Sequence, residues 1–424
     1  MDSRATTSFP SMALIRQALL RAPIVDLADA VERAIGPYLS ARPVKPGARV
    51  ALAVGSRGIL GIDTIMRACV KGLKDRGLEP FIVPAMGSHG GATADGQKKV
   101  LAGYGITGAA MGVPVVSDME TVELDRLSCG MPVRVSVTAL EADYILPVNR
   151  VKPHTKFSGP IESGLAKMLA VGLGKADGAA TIHRFAVAHS FGVIEQAAEM
   201  ILRHCNVLCG LALVEDGCGN VSFIEATGPE KMIQRERQLL KKAYTTMARI
   251  PFDSLDILII DRIGKNISGI GMDSNVTGRH RDITGDFFAA PHVRRIFVRD
   301  LTPESAGNAN GIGLADFTTS RLVSAMDREK TFANALAAIS PEKAAVPPWF
   351  DTDREALAAC IHTCGCESFD TARIVRIQDT SHIEKMWISK ALETDMARID
   401  GLERVTDWAP MAFDADDNLA GGFE

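Results

Sequence analysis

The chain has 424 residues, 46% hydrophobic and 23% charged, usage that suits a globular protein of two or three domains and excludes a disordered or fibrous one. Forty-seven basic and 51 acidic residues leave a net charge of −4 with no Lys/Arg block to track a phosphate backbone, so nucleic acid is not an expected partner. No apolar run reaches the roughly 18 residues of a bilayer span and the N-terminus lacks a signal pattern. Eight cysteines in so long a chain are too sparse for a disulfide scaffold. The expectation is a cytoplasmic protein with mostly buried thiols and no membrane partner.

In chain order, two helical patterns come first, Met12 to Arg21 and Val25 to Leu39, ending at the Pro43 and Pro46 breakers. The period then changes. An apolar strand over Arg49 to Val54 leads to the loop Gly55-Ser56-Arg57-Gly58 and an amphipathic helix with Ile62, Ile65, Met66, Cys69 and Leu73. A strand over Pro80 to Pro84 leads to Met86-Gly87-Ser88-His89-Gly90-Gly91 and a helix from about Thr93 to Tyr104. Strands are expected at Val133 to Val137, Tyr144 to Val148, Val207 to Val214 and Val221 to Glu225, with helices near Gly192 to Cys205 and Glu230 to Met247. The pattern restarts after Pro251 with strands at Asp256 to Ile260, Arg295 to Val298 and Arg373 to Ile377, and helices over Leu314 to Met326 and Lys330 to Ala338.

Strand, Gly-rich loop and helix in repetition argue for an α/β fold with parallel sheets, read as two Rossmann-like domains with a cleft between them. The expected boundaries are 1–252, 253–395 and a tail, 396–424, that packs back on the first domain.

Three loops offer polar groups at the carboxyl ends of strands: Ser56-Arg57, Ser88-His89, and Asn149 to His154. In a parallel sheet such loops converge on one crevice. An arginine fork clamps a carboxylate and a histidine exchanges protons near neutral pH, a combination suited to a hydroxy acid. The plainer reading makes each His a turn residue and Arg57 a surface ion pair. In the Gly-Ser-His-Gly-Gly loop, Ser88, Gly90 and the exposed backbone N–H groups at a helix start favour a phosphate. GxxxxGK[ST] does not occur. Cys360, Cys364 and Cys366 with His362 match no zinc spacing and read as packing.

The run Pro153-His154-Thr155-Lys156-Phe157-Ser158-Gly159, then Ser163-Gly164-Leu165-Ala166-Lys167, Gly172, Gly174 and Thr181-Ile182-His183-Arg184, resembles the nickel-dependent lactate racemase family, whose members interconvert configurations of 2-hydroxy acids. The likeness spans roughly Gly55 to Arg184. It implies an isomerase carrying a nickel-pincer nucleotide, with His89 and His154 as the acid/base pair, Lys167 carrying or contacting the cofactor, His183 ligating nickel and Arg57 clamping the substrate carboxylate. Ser88 and Gly90 would line the cofactor. One histidine would take the hydroxyl proton as hydride leaves C2, and the other would serve the opposite configuration.

The first His loop reads Gly-Ser-His-Gly rather than Gly-Thr-His-Arg. In the second domain the loop Asp261 to Asn275 follows a strand, and Lys265 is its candidate for reaching the substrate. Met272, Asp273 and Asn275 stand near the places of the family's substrate-contacting Gln and Lys, which admits a longer polar 2-hydroxy acid beside lactate. Rival readings are a non-catalytic carrier of the nickel nucleotide and an oxidoreductase using a dissociating nicotinamide nucleotide. The sequence leaves the oligomeric state open, a homodimer included.

Overall fold

The computed structural model describes residues 9–41, 44–56, 58–366 and 368–424. The chain divides into two compact units, one formed by residues 20–247 and the other by residues 1–19 with 248–424. Both are α/β.

The chain's first strand, β1 (Ser11–Gln17), lies in the sheet of the second unit, where a helix over Met12 to Arg21 was expected. Met12, Ala13, Leu14 and Ile15 are all buried, and a short run buried on both faces does not distinguish strand from helix by period.

The unit of residues 20–247 begins with helix α1 (Leu27–Ala41), then β2 (Arg49–Val54), α2 (Ile62–Lys74), β3 (Glu79–Pro84) and α3 (Ala94–Ala102). A two-stranded excursion, β4 (Thr121–Arg126) and β5 (Pro132–Ser136), precedes β6 (Tyr144–Arg150). A short helix, α4 (Leu165–Lys167), runs into a π-turn over Met168–Gly172, followed by α5 (Lys175–His189), α6 (Gly192–His204), β7 (Gly210–Glu215), β8 (Val221–Thr227) and α7 (Met232–Thr246). The sheet order is β3-β2-β6-β7-β8, parallel except for β8.

The pleat of β2 shows why its residues are almost all apolar. Val50, Leu52 and Val54 face the core built with Val31, Ile35, Ile65 and Leu73 of α1 and α2. Ala51 and Ala53 face the opposite core with Leu165, Leu169, Ile194 and Leu239. A parallel strand covered on both faces needs a continuous apolar run.

In the other unit, β9 (Ser254–Ile263) pairs in parallel with β10 (His292–Leu301) and β11 (Ile374–Ile377). Helices α8 (Arg328–Ala337) and α9 (Asp353–Thr363) fall between β10 and β11 in sequence. Antiparallel β12 (Lys385–Ser389) joins β11 to β1, and β13 (Leu402–Arg404) and β14 (Ala409–Pro410) both pair with β1.

The tail supplies two strands to the sheet of the second unit. Its end is held by Trp387 Nε1 donating to Gly422 O at 2.9 Å. The division falls after Met247 because Ile250 and Phe252 are already buried in the second unit, and it falls a second time after Leu19 because β1 pairs there. The expected helix over Leu314 to Met326 is shorter, Ser320–Ala325, since Thr318–Thr319 forms a strand first. Cys360 and Cys364 are free thiols in the core of α9, as apolar packing requires. Among the described residues no helix is long and apolar enough to cross a membrane.

Candidate active site

β3, β2 and β6 are neighbours in the parallel sheet, so the loops after them emerge side by side at one edge. Ser56 follows β2, His89 follows β3, and His154 follows β6. Ser56 Oγ and His89 Nδ1 are hydrogen-bonded. Tyr104 OH donates to Ser56 O at 2.6 Å and fixes that loop from below. The β2 and β6 loops are tied by their packing, because a Cβ on Gly55 would lie 3.2 Å from Met168 Cε and 3.6 Å from Asn149 Oδ1. Arg57 lies outside the described residues.

Ser88 and His89 are exposed, and His89 N donates to Met86 O. Gly90 has φ +68°, and a Cβ there would fall 2.5 Å from Gly96 C and 2.6 Å from Gln97 N. Gly90 is thus explained by its close approach to α3, a tighter constraint than room for a phosphate. Gln97 Nε2 donates to Gly87 O at 2.8 Å and reaches His89 O at 3.4 Å. Beneath it, Lys175 Nζ donates to Pro84 O at 2.8 Å and to Gln97 Oε1 at 3.3 Å. Lys175 is fully buried, and burial pushes its amine down to about 8, with Asp118 opposing the shift.

His154 and Lys167 come together, and two phenylalanines link them to His183. His154 Nε2 contacts Lys167 Nζ at the end of α4. The imidazole of His154 stacks on Phe157 at 4.4 Å, Phe157 stacks on Phe191 at 4.1 Å, and His183 of α5 meets Phe191 edge-on at 6.0 Å. The two histidines are joined by an aromatic ladder. Lys156, itself buried, lies over the other ring of that ladder, with Nζ 5.7 Å from the Phe191 centroid.

The hydrogen bonds of His154 constrain its protons. Lys156 N donates to Nδ1 at 3.0 Å, so Nδ1 holds a lone pair and the ring proton of the neutral imidazole sits on Nε2.

Three carboxylate and amide groups that sequence reasoning did not single out brace this cluster. Glu162, 1% exposed, accepts from His154 N at 2.5 Å, Gly159 N at 3.0 Å and Tyr244 OH at 2.9 Å, and burial raises its carboxyl against those hydrogen bonds. Asn149 Nδ2 donates to Gly164 O at 2.7 Å. Glu236 of α7 accepts from Ala166 N at 2.9 Å, the start of the helix that carries Lys167, and burial pushes its carboxyl up to about 7. Glu162 stands in the motif itself, but Glu236 gives no signal in a single sequence, since an acid in an amphipathic helix usually faces water.

Lys265 belongs to the other unit. There its Nζ donates to Asn334 Oδ1 of α8 at 3.0 Å and its backbone N to Ser305 Oγ at 3.1 Å. Met272, Asp273 and Asn275 are buried, with Asp273 N donating to Thr380 Oγ1 and Asn275 N to Asp273 Oδ1. Their polar groups serve the turn. Among the described residues no three His, Cys, Asp or Glu side chains are grouped to hold a metal ion.

No protein-family profile matches the chain, and no curated protein matches it in sequence. Among solved structures, it is similar to the lactate racemase apoprotein from Thermoanaerobacterium thermosaccharolyticum, with a TM-score of 0.53 at 13% identity, covering 87% of this chain and 94% of that one. The likeness is one of fold. It extends over both units, well beyond the segment whose motifs carry the sequence resemblance.

Proposed function

We propose that the chain is a racemase or epimerase of a 2-hydroxy acid that works with a nickel-pincer nucleotide. The observation that carries this reading is the cluster of His154, Lys167 and His183, joined by the Phe157–Phe191 ladder at the edge of the sheet where Ser56 and His89 also emerge. The strand–loop–helix order of β2 to α3 and the fold likeness to a racemase apoprotein support a Rossmann-like reading of this unit.

The donor set suits the cofactor. Lys167 supplies an amine beside His154, and His183 supplies one imidazole. A single imidazole is too few for an ordinary protein nickel site, which a metal brought with its own sulfur and carbon donors does not need. When bound, the cofactor supplies a hydride acceptor and donor. Ser88 and Gly90 are assigned to its phosphate side.

His89 and His154 are assigned to the proton of the substrate hydroxyl, one for each configuration, and Arg57 to the carboxylate. With Nδ1 occupied by Lys156 N–H, His154 is poised to return a proton to a keto oxygen from Nε2. To act as the base it must release that N–H or change tautomer. Lys265 is kept as a candidate substrate contact. A soluble cytoplasmic setting suits such an enzyme, and a homodimer remains part of the proposal.

The test is direct. After expression with cofactor-making enzymes, His183→Ala is expected to lose nickel while keeping the parental unfolding midpoint; stoichiometric nickel in that variant rejects the assignment. His89→Ala and His154→Ala should each lower racemisation by about 10²–10⁴-fold. Parental rates on a verified 2-hydroxy acid in both variants reject the two-histidine mechanism.

A further inference from the structure

The geometry points to a second small-molecule site, a pocket for an organic oxyanion at the amino edge of the parallel strands β9, β10 and β11, built around Arg279. The carboxyl end of β9, where the Gly264–Asn275 loop begins, is the opposite edge of the same sheet. The cavity of about 350 Å³ is lined at the strand starts by Asp256, Val293 and Arg294, and by Arg279, Phe288 and Arg373. That volume takes a small metabolite and little more.

Arg279 is 3% exposed and its terminal nitrogens are fully engaged. Nη1 donates to Asp316 Oδ2 at 2.5 Å and Leu314 O at 3.3 Å, and Nη2 to Val293 O at 2.8 Å and Arg294 O at 3.2 Å. Its Nε, also buried, meets no acceptor among the described residues. A guanidinium N–H buried without an acceptor is costly, and beside a cavity it marks where an acceptor is wanted. Burial also lowers the pKa of this group, Asp316 opposing and Arg281 and Arg295 adding to the effect.

Three guanidinium groups line the cavity, each held by a carboxylate: Arg279 by Asp316, Arg294 by Asp256 at 3.0 Å and Arg373 by Asp395 at 2.7 Å, while Asp256 also accepts from Arg373 N at 2.9 Å. Arg294 remains 57% exposed at its side chain and keeps donors for a ligand. Phe288, more than half exposed, brings a flat apolar face, and Arg281 sits 5.8 Å from its centroid. Gly278 makes the turn that presents Arg279. Its φ is +70°, and a Cβ would fall 2.0 Å from Pro291 O. Oxyanion donors beside an aromatic face select a carboxylate or phosphate ester with a planar or apolar body over a bare ion.

The experiment titrates the full chain with benzoate, phenyl phosphate, inorganic phosphate and chloride by calorimetry. One saturable site per chain for benzoate or phenyl phosphate is expected, with whichever binds tighter identifying the anion, and with inorganic phosphate at least about tenfold weaker for want of the ring. Arg294→Gln and Phe288→Ala, both exposed and remote from the core, should each weaken binding about tenfold. Lys71→Gln on α2 should leave it unchanged. Absence of a saturable site for either aromatic anion, or equal binding in the Arg294 and Phe288 variants, overturns the proposal. Arg279→Lys, with circular dichroism to verify folding, is expected to abolish the site; a folded variant that binds at parental affinity also overturns it.

Discussion

Lys175 shows how one side chain couples burial to the position of the Ser88–His89 loop. It occupies the left-handed region at φ +54° at the start of α5, a conformation that costs a non-glycine residue about 1 kcal/mol or more, yet its amine is fully buried against Pro84 O and Gln97. Its pKa falls from 10.5 to about 8. Below pH 8 the amine is charged in both folded and unfolded chains, and the folded state carries the full desolvation penalty. Between pH 8 and 10.5 the unfolded chain binds the proton more tightly, so stability rises with pH across that window, by roughly 3 kcal/mol in all. Urea denaturation at pH 8, 9 and 10 should show this rise in the parent, and Lys175→Met should flatten it; an unchanged slope in the variant would mean the amine titrates normally. Nothing in the sequence distinguishes this lysine from a solvated one. His89 and His154 stand out in the sequence by type and loop position, and Lys167 and His183 only through a family resemblance, whereas Lys175, Glu236 and Phe191 make contacts that only the fold creates.

At the scale of elements, the segment from Gly164 to Gly174 is where the fold and the candidate site meet. Its glycines are demanded by packing. A Cβ at Gly164 would lie 2.3 Å from Glu236 Oε1, and one at Gly172 would lie 2.6 Å from Ala85 O. The approach at Gly164 lets α7 place a carboxylate at the amino end of α4, where it accepts from Ala166 N and holds the turn that ends in Lys167. The carboxyl of Glu236 is raised from 4.5 to about 7 by burial, with the bonds from Ala166 and Leu165 opposing. A raised carboxyl gives stability that is complete below pH 4.5 and is lost as pH rises through 7. Glu236→Gln keeps a neutral acceptor, so its denaturation midpoint should vary less between pH 5 and 8 than the parent's and exceed it at pH 8. Glu236→Ala removes the acceptor and is expected to cost about 1–3 kcal/mol at pH 5, read by the same denaturation. Equal pH profiles for parent and Gln variant would show that the carboxyl is not buried as described. In the sequence these glycines register only as part of a family resemblance; the packing that requires them is invisible without the partner elements.

At the scale of the whole molecule, the alternation of strand, loop and helix made the α/β class legible, and the restart after Pro251 located the second unit. The ends of the chain were misread for one physical reason. β1 is a strand because β12 pairs with one of its edges and β13 and β14 with the other, partners separated from it by hundreds of residues. A local period cannot report such partners. The consequence is testable because the three tryptophans, Trp349, Trp387 and Trp408, all lie in the unit of residues 1–19 and 248–424, and Trp387 stands opposite Leu14 of β1. Ile15 is fully buried in that strand, paired with Met386 and Arg404. Ile15→Ala removes core volume there and should destabilise that unit by about 2–5 kcal/mol, lowering the midpoint of the tryptophan fluorescence transition. Were residues 1–252 a single domain, the same substitution would act on a unit without tryptophan and leave that transition where it is. The fluorescence midpoint of Ile15→Ala therefore decides between a contiguous first domain and an N-terminal strand donated to the second sheet.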